Sequence, residues 1–308
     1  MRGIVSEKLS DFLEQVNIAA VEARANNVSY SPELVRANLN KLSAFLTSGP
    51  ELEFIEDRTL VSASHNINVR VYSPAIAEKL PVVLHFHGGG HMCGGIDLYD
   101  PISRKIAKQG HCIVICVDYR LAPEHPYPAG IDDCEYALLN YQEVLQGLNF
   151  SGQVYTLGDS AGGAICSTIA MRSSHNRAIK IDKQILIYPS VDYTMRLPSV
   201  EENGTGLLLE KPRIQWYFDN YFQNNESRID VSPLYNLHNN LPKTLVLTAG
   251  CDPLRDEGVA YVNSLRELGV DVVHHQFDQM IHAYMLLESI VKSECQQSYQ
   301  IIADYIRA

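Results

Sequence analysis

Ser160 stands in Gly158-Asp-Ser-Ala-Gly-Gly163, between the end of an apolar run and the start of a helical pattern. A serine on such a strand-to-helix turn is held in a strained backbone conformation, which close packing allows only beside small residues. The turn lifts the hydroxyl above the sheet edge, where it can attack an acyl carbon. Taken alone, the spacing also fits any glycine-rich strand–helix junction. A second glycine cluster narrows the choice, because His87-Gly-Gly-Gly90 follows an earlier apolar run. Attack on an ester carbonyl builds negative charge on oxygen, and glycines let backbone N–H groups approach it without side chains intervening. Gly88 and Gly89 are expected to supply two such donors, and the amide of Ala161 a third.

A serine nucleophile needs a base and an acid, here expected in the chain order Ser, Asp, His. Thr244-Leu-Val-Leu-Thr-Ala-Gly-Cys-Asp252 runs off an apolar stretch straight into an acid, which places Asp252 at the carboxyl edge of a strand. Asp256 falls in the next helix and Asp278 lies beside the histidine in sequence, so position favours Asp252. His282 follows the last predicted strand, whereas His274 and His275 lie inside it, where a packed histidine is the default. The expected triad is Ser160, Asp252 and His282. Ser160 would attack while His282 takes its proton, and Asp252 would hold the imidazole tautomer.

These residues need a scaffold. Near-continuous apolar runs at 81–87, 111–117, 154–157, 184–187 and 244–247 predict strands buried on both faces. Helical patterns at 101–109, 130–145, 161–172 and 255–268 alternate with them, the mark of a mostly parallel sheet covered on both faces. Ile67, Val69 and Val71 suggest a half-exposed strand near one edge; residues 270–277 predict a last strand, and about 284–306 a last helix. Two amphipathic helices come first, over 4–25 and from a Ser31 cap with Pro32 at its first position to Gly49-Pro50. Together with a strand-poor segment between Pro189 and Leu241, they predict a cap assembled from two separated stretches. The expected domains are residues 1–50 as cap helices and 51–308 as the catalytic domain, with a cap insertion at about 192–230.

Composition excludes several classes. The 308 residues carry 25 Lys+Arg against 36 Asp+Glu, a net charge of −11, which disfavours nucleic acid and anionic membrane surfaces. No run approaches the ~18 apolar residues of a membrane span. Glu7, Lys8, Asp11 and Glu14 interrupt any secretory signal core. Seven scattered cysteines read as reduced core residues of a cytoplasmic protein. Cys112 and Cys116 share one strand face without a second pair, and His85, His87 and His91 adjoin glycines where a metal site would want further ligands.

Five stretches in order carry a family resemblance: His87-Gly-Gly-Gly90, Val117-Asp-Tyr-Arg-Leu-Ala-Pro-Glu-His-Pro-Tyr-Pro-Ala129, Gly158-Asp-Ser-Ala-Gly-Gly163, Asp252-Pro-Leu-Arg-Asp-Glu-Gly258 and Met280-Ile-His282. Over about residues 52–306 the chain resembles the hormone-sensitive lipase family of α/β-hydrolases, in its branch of microbial carboxylesterases. The resemblance implies an eight-stranded α/β-hydrolase sheet with a helical cap, esterase activity on short acyl chains, and no metal or organic cofactor. It also implies a homodimer through the last strand and helix as a candidate assembly. Two departures are noted: Gln279 and Ala283-Tyr284 stand where the family usually has glycine and Gly-Phe, and His91-Met92 replace bulky aromatic or aliphatic residues. Both are expected on the pocket rim, where they would bear on acyl and alcohol preference. Arg120 and Glu124 are expected to form a loop-stapling ion pair, Asp159 to brace the nucleophile turn, His87 to orient the glycine loop, and Trp216 to Phe222 to pack the cap. Amide or lactone hydrolysis by the same triad is the alternative reaction. A non-catalytic small-molecule receptor on this scaffold is the alternative class, opposed by the presence of all three triad residues.

Overall fold

The apolar runs form the middle of one eight-stranded sheet in the computed structural model, which describes residues 1–308. Its strands are β1 (Phe54–Val61), β2 (Asn66–Ser73), β3 (Leu80–Phe86), β4 (Ile113–Asp118), β5 (Phe150–Asp159), β6 (Lys183–Ile187), β7 (Lys243–Cys251) and β8 (Val272–Ile281). Their order is β1-β2-β4-β3-β5-β6-β7-β8, with β1 and β2 antiparallel to their neighbours and every other pairing parallel. The chain leaves β3 toward β4 on one side and later returns to β5 on the other. Loops after β3 and β5 therefore diverge, and the carboxyl ends of these two strands border the crevice where ligands bind in open α/β sheets.

Ten helices complete the chain: α1 (Ser10–Ala25), α2 (Pro32–Asn40), α3 (Ile96–Gly110), α4 (Ala129–Asn140), α5 (Ala161–Arg172), α6 (Pro198–Asn203), α7 (Lys211–Tyr221), α8 (Arg228–Val231), α9 (Arg255–Glu267) and α10 (Lys292–Arg307). Alternate residues of each strand feed opposite faces of the sheet. Val83, Val114 and Leu157 pack with Ile102 and Ile106 of α3 and with Tyr299 and Ile302 of α10. Leu84, Ile115 and Leu186 pack with Ile131 of α4, Ile165 and Ile169 of α5, and Leu265 of α9. A third cluster joins Val35 of α2 and Ile214, Phe218 and Tyr221 of α7 to Met92 and Cys93 beyond β3. The N-terminal helices and the inserted helices thus meet over one end of the sheet; Arg24 of α1 also pairs with Glu210, and Asn17 donates to Gly206 O. No helix is long and apolar enough to cross a membrane.

Three local expectations change. Strand β1 carried no clear signal, because as an edge strand it exposes Glu56 and Asp57 and buries only Leu60 fully. The second helix is capped as expected, Ser31 Oγ accepting from Leu34 N at 3.2 Å, but after Asn40 it tightens into a 3-10 turn over Lys41–Phe45. The last helix starts at Lys292, not 284. The segment before it is drawn toward the N-terminal region: Ser289 N donates to Phe45 O, and the buried Lys105 ammonium bridges Glu288 and Thr47.

Candidate active site

Ser160 links β5 to α5 at φ 52° and ψ −117°, a left-handed conformation that costs a non-glycine residue of order 1–3 kcal/mol. Its surroundings hold it there. Ser160 N donates to Ile187 O at 2.9 Å, and Ser160 O accepts from the amides of Ala164 and Ser190, both at 3.1 Å. The flanking glycines are steric necessities: a Cβ on Gly162 would lie 1.9 Å from Phe86 O, and one on Gly158 2.3 Å from Gly162 C. The turn is therefore pressed against the end of β3.

His282 leaves the end of β8 and brings Nε2 to 2.9 Å from Ser160 Oγ. Its Nδ1 lies 2.7 Å from Asp252 Oδ2. An ionised carboxylate only accepts, so Nδ1 carries the proton and Nε2 is left to accept from the serine hydroxyl. Asp252 is wholly buried at the end of β7, and its second oxygen accepts from Leu254 N at 2.8 Å. Its backbone oxygen accepts from the buried Asn203 amide of α6, at 3.1 Å. The rival residues are engaged elsewhere. Asp256 binds Ser199 N and Arg255, Asp278 accepts from Gln276, and His274 bonds Thr248.

The glycine loop departs from expectation at one position. Gly88 N donates to Asp159 Oδ1 at 2.7 Å, so this amide is committed to the interior and is not free for a substrate oxygen. A Cβ on Gly88 would meet Asp159 Oδ2 at 2.4 Å. The amides of Gly89 and Gly90 donate to no protein acceptor and belong to the half-exposed part of the loop. Ala161, at the first position of α5, has an amide with no acceptor within the helix. Gly89 and Gly90 have φ of 122° and 64°, and a Cβ on Gly89 would lie 2.1 Å from Cys93 O.

Asp159 braces the turn, as its position suggested, and it does so across to the other loop. Tyr99 Oη donates to its Oδ2 at 3.0 Å. Burial raises the Asp159 carboxyl to about 6, opposed by its bonds from Tyr99 and Gly88. His87 is structural: its ring stacks on Tyr119 at 4.4 Å, its Nδ1 donates to Gly88 O, and Tyr119 Oη donates to His87 O at 2.6 Å. Burial lowers its imidazole to about 4 and keeps it neutral. Burial also pushes the Cys93 and Cys251 thiols up to about 11, which leaves neither activated.

Other assignments are redrawn. Arg120 pairs with Asp133 rather than Glu124, and Glu124 pairs with Arg36 of α2. His91, Met92 and Tyr284 are buried rather than on a rim, and Tyr284 Oη bonds Ser298 Oγ at 2.6 Å. Gln279 is exposed. Asn203 and Tyr99 support the site without any motif to announce them, and Tyr119 lies within the Val117–Ala129 motif, whose residue types do not reveal its contact with His87; each acts through a fold-dependent contact.

A family profile described as alpha/beta hydrolase fold matches residues 83–286. The chain belongs to the hormone-sensitive lipase family of α/β-hydrolases. It is 35% identical over 285 residues to the carboxylesterase NlhH of Mycobacterium tuberculosis, covering 90% of this chain and 89% of that protein. It is 33% identical over 253 residues to an ethyl acetate hydrolase of Pseudomonas putida, with 79% of each covered. The hyperthermophilic esterase of the archaeon Pyrobaculum calidifontis superposes with a TM-score of 0.87 at 29% identity, over 98% of both chains. This α/β-hydrolase is accordingly a carboxylic ester hydrolase.

Proposed function

We propose that the enzyme hydrolyses short-chain acyl esters through an acyl-enzyme on Ser160. The observation that carries this reading is the unbroken relay from Ser160 Oγ to His282 at 2.9 Å and on to Asp252 at 2.7 Å. Ser160 Oγ attacks the acyl carbon as its proton passes to His282 Nε2. The resulting imidazolium is stabilised by Asp252, and the oxyanion is met by the amides of Gly89, Gly90 and Ala161. His282 then protonates the departing alcohol, and water repeats the sequence to release the acid. Three points favour small substrates. Tyr217 of α7 closes on the loop, so that a Cβ on Gly90 would lie 2.7 Å from its ring. Behind it Tyr193, Phe218, Tyr221 and Phe222 pack on one another. Ethyl acetate is the substrate named for the Pseudomonas putida relative.

The helices of residues 1–50 and the insertion at about 192–230 act in this reading as one cap. Seven unpaired, buried cysteines suit a reducing cytoplasm. Strand β8 ends the sheet with a free edge on which a second copy can pair, a homodimer that sedimentation would reveal. The direct test is Ser160→Ala. It is expected to lower p-nitrophenyl butyrate hydrolysis roughly 10⁵-fold or more while circular dichroism stays unchanged, and retained turnover would sink the assignment. Across an acetate-to-palmitate series activity should peak at or below butyrate.

A further inference from the structure

Gly89 and Gly90 lie between two pins of different origin. On one side Gly88 is tied into the sheet core by Asp159. On the other stands His91, with a φ of 61°, so that Gly89, Gly90 and His91 form a run of three positive-φ residues. Histidine tolerates this region better than β-branched or bulky aromatic residues do. The His91 side chain is only 3% exposed and reaches into the cap. Its ring lies parallel to that of Tyr221 in α7, with centroids 3.9 Å apart and planes inclined by 2°. Its Nε2 shares a hydrogen bond of 3.3 Å with Tyr193 Oη, and the Tyr193 ring packs edge-on against Phe218 and Phe222. Its carbonyl accepts from Ala122 N at 2.9 Å. One residue thus combines a left-handed backbone next to an oxyanion donor with a side chain embedded in the cap.

We propose that His91 is a positioning residue that couples the cap to the oxyanion hole. Through the Tyr221 stack and the Tyr193 hydrogen bond it fixes the amide directions of Gly89 and Gly90. The proposal rests on the assignment of those two amides as oxyanion donors. Donors in such sites act only within a narrow range of positions, about 2.7–3.1 Å from the developing charge, so a loosened loop loses transition-state binding before it loses substrate binding. Burial lowers the His91 imidazole to about 3, so the ring stays neutral and supplies shape and one hydrogen bond rather than charge.

Three variants separate the parts. His91→Asn keeps a residue that accepts positive φ but removes the stack. His91→Phe keeps a stacking ring but removes the hydrogen bond and disfavours the backbone conformation. Tyr193→Phe deletes only one hydroxyl. Each is assayed for kcat and KM on p-nitrophenyl acetate, for titratable Ser160 with an organophosphate, and for inhibition by a trifluoromethyl ketone, whose adduct carries the oxyanion. His91→Asn is expected to lower kcat about tenfold or more, with KM within about twofold, and to weaken the ketone by a similar factor. His91→Phe should lie between it and the wild type, and Tyr193→Phe should lose a few-fold in kcat. A rise in KM with kcat unchanged would overturn the proposal, because His91 would then only shape the pocket. Unchanged kinetics in folded variants would also overturn it. Should His91→Asn fail to fold, Tyr193→Phe decides by the same readouts. A wild-type enzyme whose Ser160 cannot be titrated would overturn both this proposal and the assignment beneath it, whereas normal titration with unaffected variants would overturn this proposal alone.

Discussion

Two glycine-rich turns meet above the sheet, and they differ in how far they depend on remote side chains. The nucleophile turn is locked by its own neighbours: Gly158 and Gly162 touch backbone, and Ser160 bonds to the ends of β6 and α5. The glycine loop after β3, the proposed oxyanion loop, has a tight turn of its own, in which Gly89 O accepts from Met92 N at 3.1 Å and Cys93 N at 2.9 Å. Beyond that turn it is fixed by side chains from distant parts of the chain, with Asp159 on Gly88, Tyr119 on His87, and Tyr221 on His91. A nucleophile must not move during turnover, and backbone-on-backbone packing provides that stiffness. A loop held in part by remote side chains registers where those elements sit, and this is the route by which the proposed cap would reach the proposed chemistry.

The contrast can be broken first at Gly162. In Gly162→Ala the new Cβ would lie 1.9 Å from Phe86 O, and neither backbone can yield without displacing β3 or the serine turn. A loss of more than about 3 kcal/mol is expected in urea unfolding, with activity lost as well. Compensation without loss would show the elbow to be as adaptable as the loop.

Asp159 joins the two turns, and its titration sharpens the comparison. Its carboxyl is raised from 3.8 to about 6 in the folded protein. The native state therefore keeps a proton that the unfolded chain has already lost. Stability is full below about pH 4 and falls as pH rises through about 6, by about 3 kcal/mol for a shift of roughly two units. Asp159→Asn retains an oxygen for the Gly88 amide and removes this slope. Unfolding free energies measured from pH 4 to 7 should show the wild type declining relative to the variant, and parallel curves would refute the coupling.

The smallest effect is expected at Tyr119→Phe, which removes the donor to the buried His87 carbonyl. A loss of about 1–2 kcal/mol in thermal or urea unfolding follows from an unsatisfied buried acceptor. The serine turn should be untouched, so titration of Ser160 by an organophosphate should remain stoichiometric.

Much of this was legible before any fold was known. The elbow could be read because the small residues that its close packing demands lie within six consecutive positions, although the backbone they meet, at Phe86 and Ile187, is distant in sequence. The central strands and the covering helices could be read because burial on two faces leaves long apolar runs, and burial on one leaves a helical stripe. Strand β1 was not legible, since an edge strand carries charges that hide its period. Arg120 and Glu124 suggest an ion pair in the sequence, while folding sets Asp133 of α4 against the Arg120 guanidinium and Arg36 against Glu124. Tyr284 and His91 depart from the family's usual residues, which points to the pocket rim, yet both side chains are buried.

Sequence alone determined the residues of the proposed chemistry: a serine, an acid and a histidine in that order, each just beyond a strand, with glycines wherever backbone must come close. Those requirements are local and leave marks on residue type. Tertiary structure decided which amides remain free, with Gly88 claimed by Asp159 and Gly89 and Gly90 left open. It also decided what holds them. A free donor is defined by the absence of a partner, and partners from Tyr99 to Tyr221 arrive only when distant segments pack together.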